Sequence, residues 1–565
     1  MGIPSYFSYI IKNYSNIISN LSKLHKNGVV VDNLFMDCNS IIYDVFNSLP
    51  EEEKGAASNN KIENILIERV IAKIEYYIRL LRPSNTVFIA FDGVAPFAKM
   101  EQQRTRRYKS TYMSQYIDPL LRNAPSTNEE SGSWSTCSIT PGTRFMNDLS
   151  NRVREHFIQP GLALSSRTIL VSASDIPGEG EHKMFEYLRN HSDVSENLFV
   201  YGLDSDLIML SIFHRELTKN IYVCREAPEF SKSQLDIMSS SPTEMLFMDI
   251  GLLSNSILRE MDCIVSDSHR IYDYIILCFF LGNDFLPHFP SLNIRKSGIQ
   301  ILIETYREKI GSSNELFFIS KETGNIQWRT LQIFIRELAK HEHSHILQEY
   351  FIRDKMSKYK YAQNTYEERE KMLSNTPILY RADELYICPQ EKMWEHRYYR
   401  VLFTHLKNSP LPGVDSNIHW YKKESSPSDD IKQICLNYME GLEWVYKYYT
   451  KGCPDWKWKY YYNYPPLLVD LIKYIPNLDT DFINSSHANN KPFHPQVQLT
   501  YVLPQNHYHL VDSRARTFIE THLSHLSLAD LKFQWAFCRY FWESHVILPD
   551  ISMTILEELQ SIVDI

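Results

Sequence analysis

Four apolar runs in the first half of the chain each end in acidic residues, and this repeat of strand followed by carboxylate constrains the fold more than any other feature. Residues 29–36 lead into Asp37, 86–91 into Asp92, 168–171 into a turn carrying Glu179 and Glu181, and 198–203 into Asp204 and Asp206. Between the first two runs, Ile62, Ile65, Leu66, Ile71, Ile74, Ile78 and Leu81 recur at three-to-four spacing, which predicts a helix that Arg82-Pro83 ends. Residues 29–92 therefore read as one βαβ crossover, and an α/β fold with a parallel sheet follows. In open sheets of this kind ligands bind beyond the carboxyl ends of the strands, so acids at four such ends can converge. A seventh acid, Asp284, follows the apolar helix expected over 272–281 and broken by Gly282.

Clustered carboxylates repel one another and need cations, and hard divalent ions take oxygen ligands. In a two-metal phosphoryl-transfer site one ion activates a water and the other holds the leaving oxygen, with the ions ~3.5–4 Å apart. Glu179/Glu181 and Asp204/Asp206 are i, i+2 pairs, which point the same way on extended backbone. Taken singly, any one of these acids is better read as a helix N-cap or turn former, and Asp175 beside Pro177-Gly178 is read that way. Seven with the same placement predict a two-metal site.

A run of positive charge follows Asp92 directly. If residues 97–109 are helical, Lys99, Gln103, Arg106 and Arg107 fall at i, i+4, i+7 and i+8 on one face. Such a face can grip a phosphate through charge-assisted, partly bidentate bonds; taken alone the run fits a solvated helix face equally well, and beside a metal site the phosphate reading is favoured. Between Trp444 and Tyr464 lie ten Trp and Tyr residues. Most are expected in a core, with one or two free to stack on unpaired bases.

The net charge of −9 excludes a protein that coats nucleic acid with a general positive field, but not a local basic pocket. At 565 residues the chain exceeds one core. The expected division is a nuclease region at 1–350, a charged helical linker with loops at 351–430, and a second region at 431–565. Segments 124–138, 408–430 and 477–495 read as loops. Nine cysteines without a Cys-x-x-Cys pair argue against a disulfide framework or a zinc site and for a reducing compartment. No apolar run reaches the ~18–20 residues of a membrane span. Gly2 does not read as a myristoylation site because Tyr6 stands where Ser or Thr is needed.

Taken together, the motifs resemble those of the Xrn-type 5′→3′ exoribonucleases. They are Met1-Gly2-Ile3-Pro4, Asp92-Gly93-Val94-Ala95-Pro96, Gln102-Gln103-Arg104 with Arg106-Arg107, Ile139-Thr140-Pro141-Gly142-Thr143, Pro177 through Lys183, Tyr201 through Leu207 and Leu281 through Pro287. Gly452 through Trp458 and Val502-Leu503-Pro504 resemble the family's second conserved region. The resemblance implies a PIN-like, flap-nuclease-like parallel sheet flanked by helices, with a mainly helical, aromatic-rich C-terminal region. It implies processive removal of nucleoside 5′-monophosphates from single-stranded RNA bearing a 5′-monophosphate, with two Mg²⁺ or Mn²⁺ ions on Asp37, Asp92, Glu179, Glu181, Asp204, Asp206 and Asp284. Lys99, Gln103, Arg106 and Arg107 would form the 5′-phosphate pocket, and a decapping enzyme could act upstream. A monomer in the cytoplasm is expected, with the nucleus open, and the chain reads as a compact catalytic core that fits a viral or parasite source.

Several positions depart from the family pattern. Tyr43 stands where a His stacks on the 5′ base; it can stack but does not carry charge near neutral pH. Its stacking partner is Trp456 or Trp458. Phe97 replaces a basic residue beside the pocket, and Asn463 and Pro466 break an aromatic-His motif. A flap-endonuclease-like DNA nuclease shares the sheet and the carboxylates, but its pattern puts Glu-Ala-Glu at 179–181 and a Gly-rich helical hairpin where Pro287-His288-Phe289-Pro290 stands. A silent RNA-binding scaffold would typically have lost some of the acids.

Overall fold

The computed structural model describes residues 3, 5–50, 53–54, 59–122, 134–158, 168–191, 194, 196–226, 245–403, 427–478, 480–483, 490–522 and 527–564. Met1, Gly2, Pro4 and much of the expected loops at 124–138, 408–430 and 477–495 lie outside them.

β-branched and aromatic runs build a seven-stranded sheet: β1 (Ile18–Asn20), β2 (Asn33–Asp37), β3 (Thr86–Ala90), β4 (Thr168–Ser172), β5 (Asn197–Tyr201), β6 (Asn220–Glu226) and β7 (Met245–Asp249). Their order is β1-β7-β6-β5-β2-β3-β4. The strands β6, β5, β2, β3 and β4 run parallel, while β7 and β1 add antiparallel at one edge. The expected strand at 29–36 starts four residues later, and Val29 and Val30 remain in the approach to it.

Alternating residues of the central strands enter two cores, as a period of two requires. Leu34, Met36, Val87 and Ile89 pack with the helix Asn59–Leu81. Phe35, Phe88, Leu198 and Val200 face the helices Gly180–Asn190, Arg270–Phe279 and Pro427–Lys451 on the other side. That second core takes in Trp444, Tyr446, Tyr448, Tyr449, Trp458 and Tyr460, so most of the aromatic segment is interior. Helices predominate beyond residue 250, the longest running Trp328–Ser357, with one two-stranded ribbon of Lys532–Gln534 and His545–Ile547. All nine cysteines are free thiols. Among the described residues no helix is long and apolar enough to cross a membrane.

The topology fixes where the site lies. From β2 the chain goes outward to β3 and β4, then returns to β5 and continues to β6 on the other flank. The strand order therefore reverses between β2 and β5, and beyond the carboxyl ends at such a switch point is where open α/β sheets bind their ligands. Asp37 ends β2 and Asp204 follows β5.

Candidate active site

The acids reach the carboxyl ends of the central strands from several elements. Asp37 is the last residue of β2, Asp92 lies two residues past β3, and Glu179 immediately precedes the helix Gly180–Asn190, whose first turn carries Glu181. Asp206 opens the helix Asp206–Phe213, and Asp284 follows the helix Arg270–Phe279. The two i, i+2 pairs thus straddle loop–helix junctions rather than lying on extended backbone: Glu179 is extended, Glu181 helical, and Ser205 already has helical dihedrals. The turn into the helix brings each pair together in place of a strand pleat.

Close backbone approach makes the convergence possible. A Cβ on Gly180 would sit 2.9 Å from Asp37 Oδ1, and one on Gly93 would overlap the Ile176 carbonyl oxygen at 1.8 Å. Gly93 and Gly178 tie the β3 and β4 loops together, with Gly93 N–H donating to the Gly178 carbonyl at 2.9 Å and Gly178 N–H to that of Val94 at 2.8 Å. The Lys183 ammonium, on the following helix, donates to the carbonyls of Ala173 and Ile176 at 2.9 Å each.

Neighbours orient several of the carboxylates. Asp92 accepts from the Gly180 N–H at 2.7 Å and from the Asn39 amide, while its own N–H donates back to Asn39 Oδ1 at 3.1 Å. The Tyr448 hydroxyl donates to Glu179 Oε1 at 2.8 Å, and burial, then the carboxylates of Asp206 and Glu181, push the neighbouring Tyr449 hydroxyl well above its usual range. The Arg225 guanidinium holds the Leu203 carbonyl, just before Asp204, at 2.7 Å. The Ser205 hydroxyl lies 3.4 Å from the carbonyl of buried Ile3, which brings the start of the chain beside Asp204 and Asp206.

The electrostatics are those of acids gathered with too little positive charge. Burial, then the carboxylates of Asp92 and Asp204, push Asp37 well above the usual range. Burial with Asp206 and Glu179 does the same to Glu181, and burial with Asp284 pushes Asp206 up to about 7. Among the described residues, Glu181 Oε2 and Asp206 Oδ1 are buried without a hydrogen-bond partner. Lys99 supplies an internal cation: its Nζ is 2.5 Å from Glu179 Oε2 and 2.7 Å from Asp284 Oδ2. Against the effect of burial, that ammonium holds Asp284 well below the usual carboxylate range.

The structure distributes the basic face unevenly. The helix Phe97–Tyr112 forms, but of the four residues on that face only Arg106 stands exposed. Lys99 is drawn to the acids, Gln103 accepts from the Gln498 amide at 3.2 Å, and Arg107 donates to the Ile139 carbonyl at 3.1 Å. Trp458 is buried against Trp444, ring centroids 5.2 Å apart, so it offers no open face for a base. Trp456 is half-buried and its carbonyl accepts from the Phe97 N–H at 2.9 Å, at the head of the basic helix. Tyr43 is half-buried on the helix Asn39–Asn47. Phe97 is buried, with the Lys459 ammonium 4.9 Å from its ring centre.

Four further residues belong to the site, and two of them, Tyr448 and Tyr449, carry no sequence signature of their own. Asn39 stands two residues after Asp37, close enough for spacing to have pointed to it. Tyr448 and Tyr449 are indistinguishable in sequence from the other aromatics of their segment. His182, stacked on Tyr448 at 3.6 Å and 4.0 Å from Glu181, can join Glu179 and Glu181 in a set of ligand atoms within 4.8 Å of one another.

Comparison with known proteins agrees with this architecture. Residues 1–227 match the family model of the XRN 5′-3′ exonuclease N-terminus, and residues 265–409 and 417–563 match that of the Xrn1 helical domain. The chain belongs to the Xrn-type 5′→3′ exoribonuclease family. It is 25% identical to the 5′-3′ exoribonuclease 2 homolog of Drosophila melanogaster, over 89% of this chain and 64% of that protein. It is 24% identical to 5′-3′ exoribonuclease 1 of Saccharomyces cerevisiae, over 90% and 40%, and 27% identical to 5′-3′ exoribonuclease 1 of Homo sapiens, over 89% and 30%. The chain thus spans less than two thirds of the length of each of these relatives.

Proposed function

We propose that the chain is a metal-dependent 5′→3′ exoribonuclease that acts processively on single-stranded RNA with a 5′-monophosphate and releases nucleoside 5′-monophosphates. The observation that carries the reading is the convergence of carboxylates at the sheet's switch point, two of them with buried oxygens left unpaired. An all-oxygen donor set that is mutually repelling fits hard divalent cations. Asp37, Asp92, Glu179, Glu181, Asp204, Asp206 and Asp284 would hold two Mg²⁺ or Mn²⁺ ions, which supply water activation and charge stabilisation at the leaving oxygen.

The chain's own residues supply position and selectivity. Asn39 and Tyr448 fix the orientation of Asp92 and Glu179. Lys99, relieved of Glu179 and Asp284 once those charges are compensated, joins Gln103, Arg106 and Arg107 around the 5′-phosphate. Tyr43 and Trp456 stack on the first bases, and a pocket sized for a monophosphate turns away capped ends. An enzyme that removes caps would supply such ends, and a cytoplasmic monomer is the working form we propose.

Matched single-stranded RNAs with 5′-monophosphate, 5′-hydroxyl or 5′-triphosphate ends test this, with Mg²⁺ or with EDTA and products resolved by length. Metal-dependent conversion of the monophosphate RNA alone to mononucleotides is the expected result. Internal cuts, or binding without cleavage in any metal, would overturn it.

A further inference from the structure

Away from the carboxylates, cations and flat rings collect on one surface of a chain whose net charge is −9. We propose that residues 358–361, Arg539, Tyr540, Trp542 and Arg295 form a stacking platform for the single-stranded RNA that trails behind the reacting nucleotide. This rests on the exoribonuclease reading above.

The sequence 358–361 alternates Lys, Tyr, Lys, Tyr, and its first three side chains are exposed, Tyr359 by 60%. Tyr359 and Tyr361 lie 4.7 Å apart, edge to face. Tyr361 shares the wall of a cavity of about 380 Å³ with Lys371, Asn375, Arg539 and Tyr540, and Glu367 and Glu370 also line it. The Arg539 guanidinium sits over the Tyr540 ring at 4.4 Å and is held by Asn375 Oδ1 at 2.6 Å. Tyr540 and Trp542 are near parallel, 17° apart with centroids at 6.0 Å. Arg295, anchored to Glu543 at 2.6 Å, lies over both rings at 5.5 and 5.9 Å, and Trp542 is 49% exposed.

This is the chemistry that binds single strands without regard to sequence: ring faces for bases, guanidinium planes over them, and ammonium groups for phosphates. An enzyme that passes every sequence through one site needs that tolerance. One helix also links this surface to the site. Lys99, at one end of the basic helix, touches the acids; Lys109, ten residues or about 15 Å along it, donates its ammonium to the Trp542 carbonyl at 2.7 Å and to that of Ser544. The basic helix thus runs from the carboxylates to the platform.

The test uses the full chain in EDTA, with fluorescence anisotropy on a 5′-phosphorylated trinucleotide and a 5′-phosphorylated 15-nucleotide RNA of mixed sequence. Tyr361→Ala with Trp542→Ala should weaken the 15-mer at least tenfold. Lys358→Ala with Lys360→Ala should flatten the salt dependence of its binding, by about 0.7 in log–log slope for each phosphate no longer neutralised. Binding of the trinucleotide, and its hydrolysis after Mg²⁺ is added, should stay unchanged in both variants and show that they fold. Unchanged 15-mer affinity and slope in both, or equal losses on the two RNAs, would overturn the platform. A wild-type chain that binds neither RNA would instead overturn the exoribonuclease reading beneath it.

Discussion

Replacing Lys99 with methionine keeps the aliphatic stem and removes the one side-chain ammonium that, among the described residues, touches the carboxylate cluster. Lys99 contacts Glu179 at 2.5 Å and Asp284 at 2.7 Å, with the three side chains 13%, 6% and 4% exposed. Removing one partner of a buried pair costs ~3–5 kcal/mol, because the other charge is left without compensation. Proton uptake limits that cost. Asp284 is held low against burial by Lys99, so in Lys99→Met its carboxyl rises and begins to protonate. The stability gap between the two proteins is therefore full at pH 7 and shrinks as pH falls toward the ordinary carboxylate value of about 4. Thermal unfolding in EDTA reads this directly: a loss of ~3 kcal/mol corresponds to a midpoint several degrees lower. Mn²⁺ should then raise the midpoint of Lys99→Met more than that of the wild type, since no internal cation has to be displaced. An unchanged midpoint in EDTA, or equal shifts with Mn²⁺, would refute the view of Lys99 as a stand-in for the metals.

Asp204→Ala and Asp206→Ala should each abolish turnover while leaving RNA binding measurable, since each removes an acid and spares the basic helix; near-normal cleavage by both would contradict the site. Arg106→Ala, at the exposed position of that helix, should weaken the preference for 5′-phosphate over 5′-hydroxyl RNA about tenfold, the ~1.4 kcal/mol expected of one charge-assisted bond; an unchanged ratio would place the pocket elsewhere. His214 is pushed down to about 4 by burial, with its Nδ1 on the Leu210 carbonyl and its Nε2 at 2.9 Å from Arg189. A histidine whose folded pKa is depressed stabilises the fold above its unfolded value and loses that contribution as pH falls toward 4. At pH 5 the loss is about 2 kcal/mol relative to pH 7, and a chemical-denaturation series should show His214→Asn with a flatter pH dependence than the wild type.

The parallel core of the sheet was legible because its strands are bounded by turn signals and separated by strongly periodic helices. The edge was not: β1 has three residues, and neither β6 nor β7 leads into an acid of the site. The antiparallel pairing of β7 with β6 and β1 is set by tertiary contact. The acids were legible because a carboxylate at the end of an apolar run has few structural reasons to recur. What escaped was orientation. Tyr448 acts on Glu179 through a hydrogen bond across 269 residues of sequence, and local spacing holds no trace of such a contact. The helical face of Lys99, Gln103, Arg106 and Arg107 was periodicity read correctly, yet the acids nearby claim Lys99, a competition that a single helix cannot reveal.

The most direct test of the account is a count of bound Mn²⁺ by calorimetric titration of the wild-type chain, of Glu181→Gln and of Asp206→Asn, without RNA. The acids gathered at the switch point predict two ions per wild-type chain and the loss of at least one in each variant. No Mn²⁺ binding in the wild type, or the same two ions in all three proteins, would contradict the claim that these carboxylates are assembled to hold metal.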